Sequence, residues 1–124
     1  MTAMTWNLSG DKPIWLQLHE QLTQRIATGV YPKGSRMPAV RELAAEAGVN
    51  PNTMQRALAQ LEQDGLVVTN RTAGRTVTED GVILSEICMR LANEKISQYL
   101  KSMALLGFPK KEAIELLLKW EEES

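Results

Sequence analysis

Side chains with strong hydrogen-bonding capacity stand close together in one short segment, at Asn52, Thr53, Gln55 and Arg56. The amide of Asn or Gln can form two hydrogen bonds with adenine, and Arg can do the same with guanine. A helix in the major groove of DNA reads base edges with residues near its N-terminus. The spacing therefore indicates base recognition. The alternative at this stage is a solvated helix face, where polar residues are also common.

The segment that carries these side chains has the pattern of a helix with a well-marked start. Asn50 is a favourable N-cap residue, and Pro51 suits the first helical position. The helix is predicted to run to Gly65. Its outward face is polar and almost uncharged, whereas an apolar face is formed by Met54, Ala57, Leu58 and Leu61.

Two further helices are predicted before this one. The first follows Pro13 and ends near Gly29, with Trp15, Leu18, Leu22 and Ile26 on its apolar face. The second follows Pro38 and ends at Gly48, with Val40, Leu43, Ala44 and Ala47 facing inward. Only Gly48-Val49-Asn50 separates the second helix from the third. Two short helices joined by such a turn are typical of a helix-turn-helix.

A β-hairpin is predicted directly after the third helix. Leu66–Thr69 and Arg75–Thr78 are extended patterns separated by the turn-forming run Asn70–Gly74. We expect Arg71 and Arg75 at the tip, flanking Gly74, where a narrow minor groove attracts such side chains. A merely solvated basic turn is the alternative. Together, the three helices and the hairpin predict a winged helix-turn-helix.

The C-terminal part is predicted to form a long helix from Val82 and a shorter one after Gly107-Phe108-Pro109. A two-helix tail cannot bury so long an apolar stripe against itself, so we expect a second subunit to cover it. The alternative is a tail that packs on the first helix of the same chain. The residues predicted to form the dimer interface are Leu84, Cys88, Leu91, Ile96, Leu100, Met103 and Leu117.

Composition and charge narrow the class of protein. Residues 1–78 carry 8 basic and 6 acidic residues, whereas residues 79–124 carry 6 and 9, so only the first part is net basic. Cys88 is the single cysteine, which permits neither an internal disulfide nor a zinc cluster, and the single histidine, His19, is expected on a helix surface. No leader precedes Trp6 and no apolar run is long enough for a membrane span, so we expect a cytoplasmic protein with no metal or other cofactor.

Three segments of the sequence resemble the GntR family of transcription regulators. They are Gly34–Ala44, Val49–Ala57 and Leu61–Leu66, and the run Asn-Pro-Asn-Thr at residues 50–53 resembles the YtrA-like branch. The resemblance implies that Arg41 contacts DNA; a surface pair with Glu42 or Glu46 is the alternative. Gln55 and Pro51 stand where many members have Arg, so the base preferences of those members do not transfer. Ala39 replaces the usual Ser and leaves the second helix without a side-chain cap.

The expected fold is mainly α with a small β-wing, comprising a DNA-binding domain over residues 1–80 and a two-helix dimerisation tail over residues 81–124. The resemblance implies a homodimeric repressor that binds an inverted-repeat operator, with the third helix in the major groove and the wing at the minor groove. An unidentified small-molecule effector is a further partner that the resemblance leaves open. The predicted DNA-binding residues are Arg41, Asn50, Asn52, Thr53, Gln55, Arg56, Arg71, Gly74 and Arg75.

Two other functional classes compete with this interpretation. GntR-type domains also occur fused to an aminotransferase-like domain, but that domain needs hundreds of residues, so we expect no enzyme here. Some winged helices bind proteins instead of DNA, and the basic wing argues against this alternative.

Overall fold

The structure is a computed structural model that describes residues 5–122. Five helices and one antiparallel pair of strands form within these residues, which confirms the predicted mainly α fold with a small β-wing. The elements in chain order are α1 (Ile14–Ala27), α2 (Val40–Ala47), α3 (Pro51–Gln63), β1 (Val67–Asn70), β2 (Gly74–Val77), α4 (Gly81–Leu105) and α5 (Lys110–Lys119).

The turn between α2 and α3 is built as the sequence predicts. Gly48 ends α2 in the left-handed conformation, with φ of 69°, where a Cβ would add strain. The side-chain oxygen of Asn50 accepts a hydrogen bond of 2.8 Å from the backbone N–H of Asn52, and Pro51 is the first residue of α3. Ala39 gives α2 no side-chain cap, also as predicted. The start of α3 is therefore fixed locally, where base-reading residues are needed.

The core of the helical unit lies around α3, which packs against α1, α2 and β1. Burial of its apolar face leaves the opposite face of α3 in solvent. Burial of each large apolar side chain stabilises the folded state by about 1.5–3 kcal/mol. This packing therefore fixes the orientation of α3 against the other elements. The largest fully buried apolar side chains of this core are Leu18, Leu22, Leu43, Met54, Leu58, Leu61, Leu66 and Val77.

The wing is a hairpin in which Val67 pairs with Val77, Thr69 with Arg75, and Asn70 with Gly74. Asn70 closes the turn, because its side-chain oxygen accepts from the backbone N–H groups two and three residues further along the chain. The prediction that Arg75 lies at the tip is wrong, since it pairs with Thr69 inside the ladder. Arg71 does lie in the turn.

The chain forms two compact units, the first ending at Ser85 and the second beginning at Glu86. The division falls inside α4, so the first turn of α4 belongs to the first unit. In that turn, the side chain of Ile83 packs beside Gly65. In the second unit the Tyr99 hydroxyl donates a hydrogen bond of 2.6 Å to the carbonyl of Ala113, which joins α4 to α5. None of the helices within residues 5–122 has the length and apolar character required to cross a membrane.

Candidate nucleic-acid interface

The exposed face of α3 presents most of the predicted base-reading residues together. Asn52, Gln55 and Arg56 are exposed and Thr53 is half-buried. Asn50 is exposed, but its side-chain oxygen already serves as the helix cap. The remaining residues offer amide, hydroxyl and guanidinium groups, which can donate to or accept from base edges.

Arg56 is supported by a residue of the first helix that the sequence analysis assigned only to the core. The Arg56 guanidinium lies 4.2 Å from the centroid of the Trp15 ring. A cation over an indole face is held by the ring quadrupole, so this contact limits the orientations that Arg56 samples. The apolar periodicity of α1 placed Trp15 inward, but no sequence signal linked it to residue 56, because the contact depends on how α1 crosses α3.

Arg41 is exposed in the first turn of α2 and makes no ion pair within residues 5–122. Neither Glu42 nor Glu46, the two candidate partners, forms an ion pair with Arg41. The carboxylate of Glu46 accepts hydrogen bonds from Arg25 at 3.0 Å and from the Trp6 indole at 3.1 Å. The Arg41 side chain is thus available for the DNA contact that the family resemblance implies.

The wing arginines have different surroundings. Arg71 is exposed in the turn, whereas the Arg75 Nε donates a hydrogen bond of 2.6 Å to Glu62 Oε1 on α3. The Arg75 guanidinium thereby holds the pKa of Glu62 below its usual value, and a hydrogen bond from Thr69 adds to this. Gly74 is half-buried, with φ of 72°. The positive charge of Arg75 is therefore partly neutralised inside the protein.

Two polar connections of α1 were not predicted from the sequence. His19, expected on a helix surface, is half-buried with its side chain 17% exposed, and its Nε2 lies 2.6 Å from Asp64 Oδ2 at the end of α3. Arg25 is buried; it donates to the Tyr31 hydroxyl at 2.9 Å and lies 4.0 Å from the Trp6 ring centroid. The pairs His19–Asp64 and Arg25–Trp6 join residues far apart in sequence, so local patterns carry no signal for them.

The residues predicted to form a dimer interface differ in exposure. Ile96 and Leu117 are 54% and 57% exposed. Leu84 lies in the first compact unit, and the other six lie in the second. The buried residue of α4 is Ile87, which the predicted stripe omitted. The half-buried members of the predicted set are Leu84, Cys88, Leu91, Leu100 and Met103.

Apolar hollows adjoin these residues between α4 and α5. One has a volume of about 370 Å³ and is lined in part by Ile96, Leu100 and Ile114. The other has a volume of about 460 Å³ and is lined by Met103, Leu116 and Trp120, and both share Tyr99 and Leu117. The second unit thus carries a continuous apolar surface that its own two helices leave uncovered.

Comparison with known proteins agrees with this architecture. Residues 15–77 match the family described as bacterial regulatory proteins, gntR family. The chain is 36% identical over 105 residues to the uncharacterized HTH-type transcriptional regulator YhcF of Bacillus subtilis, covering 85% of this chain and 87% of that protein. It is 30% identical over 112 residues to the HTH-type transcriptional repressor YtrA of the same organism, covering 90% and 83%.

The fold of this chain is also similar to the folds of solved structures. A GntR family transcriptional regulator from Listeria monocytogenes superposes with a TM-score of 0.82 at 33% identity, over 92% of this chain and 100% of that one. The DNA-binding domain of AraR, solved in complex with operator ORX1, superposes with a TM-score of 0.52 at 25% identity, over 61% and 93%. The chain belongs to the gntR family of bacterial regulatory proteins, as a transcriptional regulator with a winged helix-turn-helix DNA-binding domain.

Proposed function

We propose that the chain is a repressor that binds an inverted-repeat operator as a homodimer, with α3 in the major groove. The observation that carries the proposal is the exposed face of α3, where Asn52, Gln55 and Arg56 project from a helix whose opposite face is buried. Amide and guanidinium groups on a rigid helix can discriminate base pairs, because each two-bond contact fits one base edge. A helix with only a structural role would not require these three polar side chains on its exposed face.

Phosphate contacts supplement base reading in this proposal. Arg71 in the wing turn is exposed and is assigned to the minor groove, whereas the exposed Arg41 at the start of α2 would bind a phosphate. Contacts of this kind set the register of a protein on the duplex without reading its sequence. The operator complex of the AraR domain supports the same use of the fold here, since that relative carries the corresponding winged unit.

The dimer is supported by the apolar surface of the second unit. Leu105 and Leu118 are 90% and 80% exposed, and they accompany the exposed Ile96 and Leu117. Surfaces of this kind mark interaction sites in soluble proteins. A second copy of the chain would cover them and would bring a second α3 to a half-site about 10 base pairs away. Repression is supported by the description of the relative YtrA as a transcriptional repressor.

The test of this function is selection of duplexes from a random DNA library by the full chain. We expect enrichment of an inverted repeat with half-sites about one helical turn apart. The Asn52→Ala variant is the matched control, because it removes one base-reading group and leaves the core intact. This variant should enrich sequences with relaxed preference at one position in each half-site. Recovery of no common motif by the parent would contradict the proposal.

A further inference from the structure

A third extended segment, which was not predicted from the sequence, lies against the wing. Residues 34–37 run beside β2, with Arg36 bridged to Thr76. The N–H of Met37 donates to the carbonyl of Arg75 at 2.8 Å, and the N–H of Val77 donates to that of Ser35 at 2.8 Å. These bonds fix the backbone of Arg36 against the wing.

The register places Arg36 and Arg75 on opposite faces of this ribbon, because successive residues of a strand point to opposite sides. Val77 and Arg75 share the inner face, where Val77 is buried and Arg75 bonds to Glu62. Thr76 and its partner Val68, which is 53% exposed, lie on the outer face with Arg36. The outer face thus carries its own basic side chain.

The Arg36 side chain passes close to Gly74, at the end of the turn. The Arg36 Nε lies 4.0 Å from the point where a Cβ on Gly74 would stand. The guanidinium therefore lies along the outer face at the end of the hairpin next to Asn70–Gly74, the turn that contains Arg71.

The electrostatic surroundings of the two arginines also differ. Arg36 is exposed and has no ion pair within the part of the chain that the structure describes. Arg75 has Glu62 as a partner at 2.6 Å. An arginine already paired with a carboxylate gains less from a phosphate, because the existing ion pair must first be broken.

We propose that Arg36 is a DNA-phosphate contact of the wing, a residue that the sequence pattern did not single out. The inference rests on the proposed DNA-binding function. A guanidinium forms two parallel hydrogen bonds with a phosphate, and Arg36 projects its guanidinium from the outer face beside the wing turn. The interface then uses Arg36 and Arg71 at the wing, while Arg75 ties the wing to α3.

The experiment measures the affinity of the full chain for a labelled duplex chosen by selection, over a series of salt concentrations. Arg36→Met keeps the apolar stem and removes the charge, whereas Arg36→Lys keeps the charge. Arg90→Gln, on the exposed surface of α4, removes the same charge elsewhere and serves as the matched control.

Removal of one phosphate contact should lower the slope of log K against log salt by about 0.9. If the lines for parent and Arg36→Met meet near 1 M salt, affinity falls about eightfold at about 0.1 M. Arg36→Lys should keep the slope of the parent, and so should Arg90→Gln.

Two results overturn the inference. An unchanged slope in Arg36→Met shows that Arg36 makes no phosphate contact, and weaker binding at unchanged slope shows that it only supports the local structure. Neither of these results contradicts the proposed function, because the parent chain still binds the duplex. A parent chain that binds no duplex overturns the proposed function itself, and the inference with it.

Discussion

The Arg56 guanidinium lies over the ring of Trp15, 4.2 Å from its centroid, and joins the recognition helix α3 to the first helix of the fold. Arg56 is one of the proposed base-reading residues, and Trp15 contacts it from α1. If Arg56 reads a base pair as proposed, its orientation depends on a residue outside the helix-turn-helix. This relationship gives the first prediction.

Replacing Trp15 with Leu should weaken discrimination at the base pair that Arg56 reads, because the aromatic face that orients its guanidinium is removed. The expected effect is about 0.5–2 kcal/mol, the range for a cation over an aromatic ring. Affinities for the selected operator and for its single-base variants measure this effect. Trp15→Phe, which keeps an aromatic face, should retain most of the discrimination. In an Arg56→Ala background, Trp15→Leu should cause no further loss of discrimination. Equal losses in both backgrounds would show that Trp15 acts on DNA binding independently of Arg56.

Replacing Arg41 with Ala should weaken binding to the operator and to random DNA by similar factors, because a phosphate contact carries no sequence information. The slope of log K against log salt should fall by about 0.9 on both duplexes. Titrations of both duplexes at several salt concentrations test the prediction. A selective loss of operator binding would assign Arg41 to base reading, and unchanged affinity on both would remove it from the interface.

Replacing Glu62 with Gln should make the stability of the fold less sensitive to acid. Arg75 holds the pKa of Glu62 below its usual value, so the native state favours the ionised carboxylate. The resulting stability is present above the ordinary glutamate pKa of 4.5 and is lost as pH falls through the lower folded pKa. Urea unfolding from about pH 5 to about pH 3 should show a steeper loss in the parent than in Glu62→Gln. Parallel losses would mean that this ion pair contributes nothing to stability.

The order of elements could be predicted from the sequence because proline and glycine mark most element boundaries. Asn50 and Pro51 identify the start of α3, and Gly48 identifies the end of α2. The extended pattern in residues 66–78 likewise indicated the hairpin. Such signals are local, since caps and turns involve residues within a few positions of one another.

The side-chain partnerships of the site could not be predicted, because they depend on how distant elements cross. Trp15 with Arg56 and Arg75 with Glu62 are examples. The placement of Arg75 at the tip was wrong for a local reason. The turn is shorter than predicted, because Asn70 and Gly74 pair in the ladder and Arg75 follows one position further inside it.

Replacing Ile96 with Glu should dissociate the proposed dimer, because the substitution buries an unpaired charge in an apolar interface. Molecular mass in solution measures the result, and the helical content of the variant shows whether it stays folded. Gln98→Glu places the same charge on the opposite face of α4 and should remain dimeric. A parent chain that is monomeric at micromolar concentration and also on DNA would contradict the dimer.

The central claim is that α3 reads base pairs of an operator, and the direct measurement is a ratio of affinities. The full chain is titrated with the selected operator and with a scrambled duplex of equal length at physiological salt. The account predicts at least about a 1,000-fold preference for the operator. It also predicts that Asn52→Ala reduces this preference by the equivalent of about 1–3 kcal/mol, the discrimination that one two-bond base contact supplies. A ratio near one for the parent, or a full ratio retained by the double variant Asn52→Ala with Arg56→Ala, would contradict the account.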